Sequence, residues 1–322
     1  MRRRTRHKER HIGLALGGGG ARGLAHIGVL KVLERENIPI HVIAGASIGA
    51  LVGAAYASGI RPEDLERRVE EYLHSRKFQM SAVRAIEESQ ARGELSWGRK
   101  IQSFLMNRYF LVQAMFKPGL FPSDELREII EHFVPDIQIE ETRIPFRAVA
   151  TDLVQGTQIV LSSGSLRQAV IASCAVPGAI EPVKDEDRLL SDGGIICLIP
   201  CTVVRREGAD VVVAVVVDRD ICTESEFTTA LSIYQRVNDI MCAKLKDYEL
   251  AEADIVIAPE VGDLHWSEFS QALTLVEVGE RAAEEKLDLI RSAAPLLKRW
   301  FTLKDLFKHH SKSDRGRDEG GE

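Results

Sequence analysis

The 322-residue sequence holds no apolar run near the roughly 18 residues that a membrane span requires. Val211–Val217 is seven residues long, and Ile48–Ile60 is broken by glycines and Ser58. No bilayer-spanning segment is expected. Cysteine is scarce: Cys174, Cys197, Cys201, Cys222 and Cys242 are odd in number and mostly in apolar surroundings. That fits free thiols in a reducing, cytoplasmic compartment better than a disulfide framework. Cys197 and Cys201 have no second Cys or His pair nearby, so no metal site is expected. Fixed-period repeats and Pro- or Gly-rich linkers are also absent. One domain over 11–300 is expected, between a basic disordered arm at 1–10 and a polar tail at 301–322.

Positive charge is thin outside the first residues. The formal net charge is −6, yet residues 1–10 carry Arg2, Arg3, Arg4, Arg6, Lys8 and Arg10 against Glu9, so the remainder stands at −11. An acidic body excludes a general nucleic-acid binder, whose affinity comes from clustered Lys and Arg. The arm reads as a solvated end able to touch anionic lipid. The start does not read as a secretory signal, because Ile12–Leu16 is short and runs into Gly17–Gly20.

With 45% hydrophobic and 28% charged residues the composition is that of a globular chain. His11–Leu16 reads as a strand, followed by four glycines and a helix over Ala21–Arg35 with apolar positions at Leu24, Ile27, Leu30 and Leu33. A second strand (His41–Ala44), a sharp turn and a small-residue helix (Ile48–Ala57) come next. Pro62 starts a charged helix through about Leu73. Residues 75–120 are irregular. Trp97, Phe104, Met106, Tyr109, Phe110, Leu111, Met115 and Phe116 form either an amphipathic cover for the core or a lid or membrane-facing surface within 97–120. Beyond Phe121 the pattern gives a helix capped by Ser123 (Asp124–Phe133), strands at Pro145–Asp152, Gln158–Ser162 and Arg188–Leu190, and a helix at Ser165–Ser173. Further strands are expected at Val211–Val217 and Ile255–Ala258, with closing helices over 222–250 and 268–300. Continuous apolar strands among helices predict an α/β fold with a largely parallel sheet covered on both faces.

Two constellations carry chemistry. Gly17-Gly18-Gly19-Gly20-Ala21-Arg22-Gly23 sits between a strand and a helix and satisfies G-x-G-x-x-G from Gly18. A dinucleotide fingerprint needs an acidic residue at the end of the next strand, but that strand ends Ala44-Gly45-Ala46-Ser47. What remains is a row of backbone N–H groups at a helix N-terminus, suited to phosphate or to a developing oxyanion. Gly45-Ala46-Ser47-Ile48-Gly49 is a G-x-S-x-G on a strand-to-helix turn, where small neighbours allow an elbow that lifts the Ser47 hydroxyl clear of the backbone. A plain Ser N-cap is the alternative. Such a nucleophile requires a base. His265 is a weak triad candidate, and His26 reads as a packed histidine. Asp192, in Ser191-Asp192-Gly193-Gly194, follows a short apolar strand; an Asp-Gly turn is its plain reading.

In this order, the glycine loop 17–23, the elbow 45–49 and Asp192-Gly193-Gly194 make the chain resemble the bacterial patatin-like phospholipases. Thr151-Asp152, Ser162-Ser163-Gly164, Ala172–Gly178 and Gly208–Val215 resemble further segments of that family, over about residues 12–260, with the motif core at about 12–205. The resemblance implies a three-layer α/β/α fold and a serine lipid acyl hydrolase working without a cofactor. Ser47 would be the nucleophile, Asp192 its base, and Gly18, Gly19 and Gly20 the oxyanion hole. Gly17, Arg22, Gly23, Gly45, Gly49, Gly193 and Gly194 would support them. The implied substrate is a phospholipid or other fatty acyl ester, reached from the cytoplasm with peripheral contact to the inner, anionic membrane face. A regulatory adaptor on the same fold and a nucleotide-binding module built on the glycine loop are the alternatives. One departure stands out: Cys197 occupies a place where family members commonly carry Asn, ahead of Pro200.

Overall fold

A computed structural model describes residues 10–81, 84, 119, 122–218, 220–221, 223, 227–262, 264 and 268–293. The basic arm apart from Arg10, the aromatic-rich stretch 97–120 apart from Gly119, the tail 301–322, Cys222 and His265 lie outside the described residues. The chain runs β1 (Ile12–Leu16), a 3-10 turn (Gly20–Leu24), α1 (Ala25–Arg35), β2 (Val42–Ala46), α2 (Ile48–Ala57), α3 (Pro62–His74) and α4 (Arg76–Gln79). It continues through α5 (Ser123–Phe133), β3 (Phe146–Asp152), β4 (Thr157–Leu161), α6 (Leu166–Ser173), β5 (Val183–Asp185) and β6 (Arg188–Asp192). The last elements are α7 (Cys201–Arg206), β7 (Val211–Val215), α8 (Ala230–Leu250), β8 (Ile255–Ile257) and α9 (Ala272–Ala293).

The sheet order is β5-β6-β3-β2-β1-β7-β8, with β4 also paired to β3. It is mixed, which corrects the largely parallel sheet expected from sequence. β3-β2-β1-β7-β8 pair in parallel, whereas β4 and β6 both run antiparallel to β3, and β5 antiparallel to β6. The reason is connection length. β3 reaches β4 through a turn at 153–156 and β5 reaches β6 through Glu186-Asp187, and links so short join only antiparallel neighbours. Glu186 and Gly156 take positive φ (51° and 67°) to close these turns. β4 is half-solvated, unlike the fully buried β1, β2 and β7 from which the parallel expectation came. Ser123 also differs from expectation: it is the first helical residue of α5, with Pro122 at the cap.

Side-chain alternation splits the core into two unequal halves. From β1, Ile12, Leu14 and Leu16 join the larger cluster with α1, α2, α3, α5, α6 and α9, while Ala15 faces the smaller one under α7. On the thick face α1 and α9 cross backbone to backbone. A Cβ on Gly28 would overlap the carbonyl oxygen of Val276, and one on Gly279 that of Ala25. Ion pairs rim this crossing, with Lys31 on Glu66 (2.8 Å) and Glu280 (2.5 Å) and Arg35 on Glu284 (2.6 Å). Pairs this accessible contribute little individually. The close crossing predicts that Gly279→Val destabilises the fold by about 3 kcal/mol or more in urea unfolding, as overpacking against backbone does. Exposed Glu285→Ala on the same helix should stay within about 0.5 kcal/mol of the parent.

Candidate active site

The parallel strands β1 and β2 end side by side, and each hands over to a helix through a turn of small residues. Ser47 is the residue between β2 and α2. Its φ of 54° and ψ of −126° lie where a serine seldom sits, the mark of a strained elbow. Glycines make the turn possible. A side chain at Gly45 would overlap the backbone of Gly49 and Ala50, and one at Gly49 the carbonyl of Leu16. Holding the elbow from outside is Ser173, at the end of α6. Its buried hydroxyl accepts the Ser47 N–H (3.1 Å) and donates to the carbonyl of Val149 on β3 (2.6 Å). Sequence reading placed Ser173 in a family-like segment without giving it a role; a small hydroxyl ending a helix carries no motif.

Asp192, 145 residues further along, ends β6 and reaches Ser47 because β2 and β6 pair end to end with the same edge of β3, Ala46 opposite Val149 and Asp192 opposite Ala150, while β4 takes the other edge over 148–152. Its backbone is fixed at both ends. Asp192 N–H donates to Ala175 O (2.9 Å), its carbonyl accepts from the Thr151 hydroxyl (2.9 Å), and the Ser191 hydroxyl donates to Ala175 O (2.7 Å). Oδ1 accepts the Gly194 N–H at 2.7 Å. Burial pushes the Asp192 carboxyl up to about 6, against the downward pull of the Ser47 side chain and the Gly194 N–H. Oδ2 is buried without a hydrogen bond of full geometry. The Ser47 hydroxyl lies close enough to the carboxyl to favour its charged form. Gly193 packs on the Val149 carbonyl with no room for a Cβ.

The glycine loop lies beside this pair. Gly17 N–H donates to Val215 O (3.1 Å). Gly18 N–H donates to Leu198 O (3.0 Å), so of the three amides expected to receive an oxyanion this one is already taken. Gly19 and Gly20, at the start of the 3-10 turn, have no backbone acceptor among the described residues. Gly18 also lies against Ser47, whose Cβ would be 3.4 Å from a Cβ there. Arg22 folds back on its own loop, with Nε donating to Gly19 O (3.1 Å) and Nη2 pairing with Asp218 (3.1 Å). Gly23 packs on Ile48. Beneath the loop, fully buried His26 holds Gly17 O through Nε2 at 2.8 Å, which requires the proton on Nε2. Burial lowers this imidazole to about 4, so it is neutral. No hydrogen bond links a histidine to Ser47 or Asp192 among the described residues. Cys197 is buried in the smaller core, its N–H on Gly193 O (2.8 Å) and its thiol against Glu249, so Asp192 takes its orientation from Gly194, Thr151 and Ala175 instead.

Ser47 opens on an apolar cavity of about 200 Å³, lined among others by Leu24, Ile27, Leu51, Leu65, Phe78 and Phe133. Among the described residues, no group of three His, Cys, Asp or Glu is placed to hold a metal. A hydroxyl beside a carboxyl of raised proton affinity, with amide donors next to it and an apolar cavity that Gly20 also lines, is an arrangement for nucleophilic attack on an ester of an apolar acid.

A model of the patatin-like phospholipase family matches residues 14–204. An uncharacterized NTE family protein of Mycobacterium tuberculosis is 33% identical over 204 residues, covering 63% of this chain and 48% of that protein. Patatin-like phospholipase domain-containing protein 6 of Homo sapiens is 34% identical over 225 residues, covering 69% of this chain and 14% of that protein. The chain therefore spans about half or less of the length of these relatives. The crystal structure of VipD from Legionella pneumophila aligns over 87% of this chain and 67% of its own, at 15% identity and a TM-score of 0.43.

Removing the hydroxyl that receives the Ser47 amide leaves a buried donor unpaired at the strained turn, an effect of about 1–3 kcal/mol. Ser173→Ala should keep its far-UV circular dichroism and lose about tenfold or more in the rate at which a fluorophosphonate labels Ser47. Equal labelling rates in variant and parent would show that Ser173 does not hold the elbow.

Proposed function

The chain belongs to the patatin-like phospholipase family, a family of hydrolases, and we propose that it cleaves fatty acyl esters of lipids through a Ser47–Asp192 dyad. The observation that carries this reading is the buried Asp192 carboxyl, raised to about 6 and within reach of the Ser47 hydroxyl at the wall of an apolar cavity. Asp192 takes the hydroxyl proton as Ser47 Oγ attacks the ester carbonyl carbon. The tetrahedral oxyanion is received by the N–H groups of Gly19 and Gly20, in a loop anchored by Gly18 on Leu198 O and by Arg22. Collapse breaks the ester C–O bond; the departing alcohol or lysolipid takes the proton from Asp192, leaving an acyl-Ser47. Water then gives a proton to Asp192 as its oxygen attacks the acyl carbon; collapse breaks the bond to Ser47 Oγ, which takes that proton from Asp192, and the fatty acid leaves. The acyl chain lies in the cavity, between α1, α2 and α5.

No helix among the described residues is long and apolar enough to cross a membrane. On this reading the protein meets its substrate peripherally, at an anionic membrane face.

Ser47→Ala should abolish both fluorophosphonate labelling and turnover of a p-nitrophenyl acyl ester, while Asp192→Asn should keep its fold and lose at least about a hundredfold in kcat. A folded wild type that neither labels nor turns over ester, with lipid vesicles present, would end the hydrolase reading. Because Asp192 acts ionised, kcat/KM should rise with pH through an apparent pKa of about 6. The stability effect has the opposite sign. The folded state binds this proton more tightly than the unfolded chain, so wild type loses stability as pH climbs from about 4 to 6. Asp192→Asn should consequently melt higher than wild type at pH 8, by a margin that narrows towards pH 4. Ile129→Trp, filling the cavity from α5, should reduce turnover of dodecanoyl esters about tenfold more than that of butyryl esters, measured on the p-nitrophenyl series.

A further inference from the structure

We propose that the outer face of α8 docks the protein on a lipid bilayer carrying anionic headgroups, an inference that rests on the lipid hydrolase reading and gives it a surface. Half of the exposed large hydrophobic residues among those described fall within 221–248: Ile221 and Phe227 ahead of α8, then Ile233, Tyr234, Val237, Ile240, Met241 and Tyr248 on it. Exposure reaches 64% at Tyr234, 62% at Met241 and 76% at Tyr248. At 3.6 residues per turn these six positions and Lys244 fall within an arc of about 120° along the helix, a stripe that a water-facing helix would leave polar.

The back of α8 ties this stripe to the site. Lys246 Nζ reaches Asp220 at 2.9 Å, Glu249 is buried against Cys197 and Thr202 of the body, and Cys242 lies within the field of Asp218. Asp218 is the partner of Arg22 on the glycine loop. Among the residues of α8 whose side chains are described, Lys246 and Glu249 are buried, both in its last turns. Upstream, Asp239 and Cys242 are exposed on the side turned away from the stripe. The exposed stripe of α8 thus runs next to the segment that leaves β7 and braces the glycine loop.

Charge selects the occupant. Within the stripe the sole charged residue is Lys244, joined at 3.0 Å to Asp247 on its edge in an accessible pair of little strength. A second copy docked in parallel would set Lys244 against Lys244. One docked antiparallel about Met241 would set Lys244 against Val237 and Asn238, with no carboxylate there to meet it. A bilayer imposes neither penalty. Lys244 extends its ammonium to lipid phosphate while its stem stays among apolar groups, and Tyr234 and Tyr248 hold their rings at headgroup depth, with Ile233, Val237, Ile240 and Met241 below.

The test compares wild type with Val237→Glu/Met241→Glu, both exposed and outside the catalytic machinery, for co-sedimentation with vesicles of phosphatidylcholine and phosphatidylglycerol and for turnover of p-nitrophenyl butyrate in solution. Binding of wild type, lost about tenfold or more in the double variant while butyrate turnover stays within about twofold, supports the surface. Equal vesicle binding by both proteins, or no binding by wild type, overturns it. So does a wild-type dimer in analytical ultracentrifugation that the variant breaks with vesicle binding unchanged, which would assign the stripe to a second copy. Should neither protein hydrolyse butyrate while vesicle binding still depends on Val237 and Met241, the hydrolase reading falls and the docking surface stands.

Discussion

Ser47 is held at φ 54°, and the site is built around keeping it there. A non-glycine residue in such a conformation is strained by about 1–3 kcal/mol and persists when its neighbours leave no alternative. Here they leave none. The first turn of α2 lies directly on the ends of β1 and β2, with backbone touching backbone at Gly45 and Gly49, so the helix can start nowhere else. Ser173 closes the remaining freedom by binding the Ser47 amide on one side and β3 on the other. Through that single hydroxyl, Ser47, the strand next to Asp192 and the helix that precedes β5 and β6 are made one rigid unit.

Asp192 is placed by the same logic applied to an antiparallel strand. Its main chain is pinned by Ala175 and Thr151, and one carboxyl oxygen is consumed by Gly194. The other oxygen is left buried and under-bonded. Leaving a charge in that condition is unfavourable, and the raised proton affinity is the measure of it. The carboxyl is driven to about 6, close to the ordinary range of an imidazole. On the proposed reading this supplies a base of histidine strength where, among the described residues, no histidine is bonded to Ser47. His26 shows the converse. Burial lowers it to about 4, and it serves as a neutral donor under Gly17.

The elements nearest Ser47 were legible because local sequence dictates them. A buried apolar strand, a run of glycines and a helix-spaced stretch leave β1, its loop and α1 few alternatives, and Gly45–Gly49 marks the elbow as plainly. Asp192 became legible only by resemblance, since an Asp-Gly-Gly after a short strand is in itself an ordinary turn. Periodicity missed what depends on distant partners. β4 and the three-residue β5 are antiparallel additions whose direction is set by the length of a hairpin link rather than by hydrophobic pattern. Ser173 acts through two residues far from it in sequence. The stripe on α8 has the spacing of a core-facing helix, and the pattern 233/234/237/240/241 is the same whether the apolar side packs inward or faces out; only the folded chain shows it outward.

An aspartate base also changes how charge moves in the proposed reaction. With a neutral imidazole as base, attack by serine creates an ion pair from neutral groups, and the site must stabilise both new charges. With Asp192 as base, the negative charge already present leaves a buried, under-bonded carboxylate and reappears on the oxyanion, beside the amides of Gly19 and Gly20 at a helical N-terminus. No net charge is created, and the charge passes from a place that disfavours it to one that favours it. The burial that strains the resting Asp192 thus lowers the barrier as its strain is released. On this reading the cavity can be so apolar because its side chains never have to solvate a growing charge, which is handled by backbone donors at its Gly20 end.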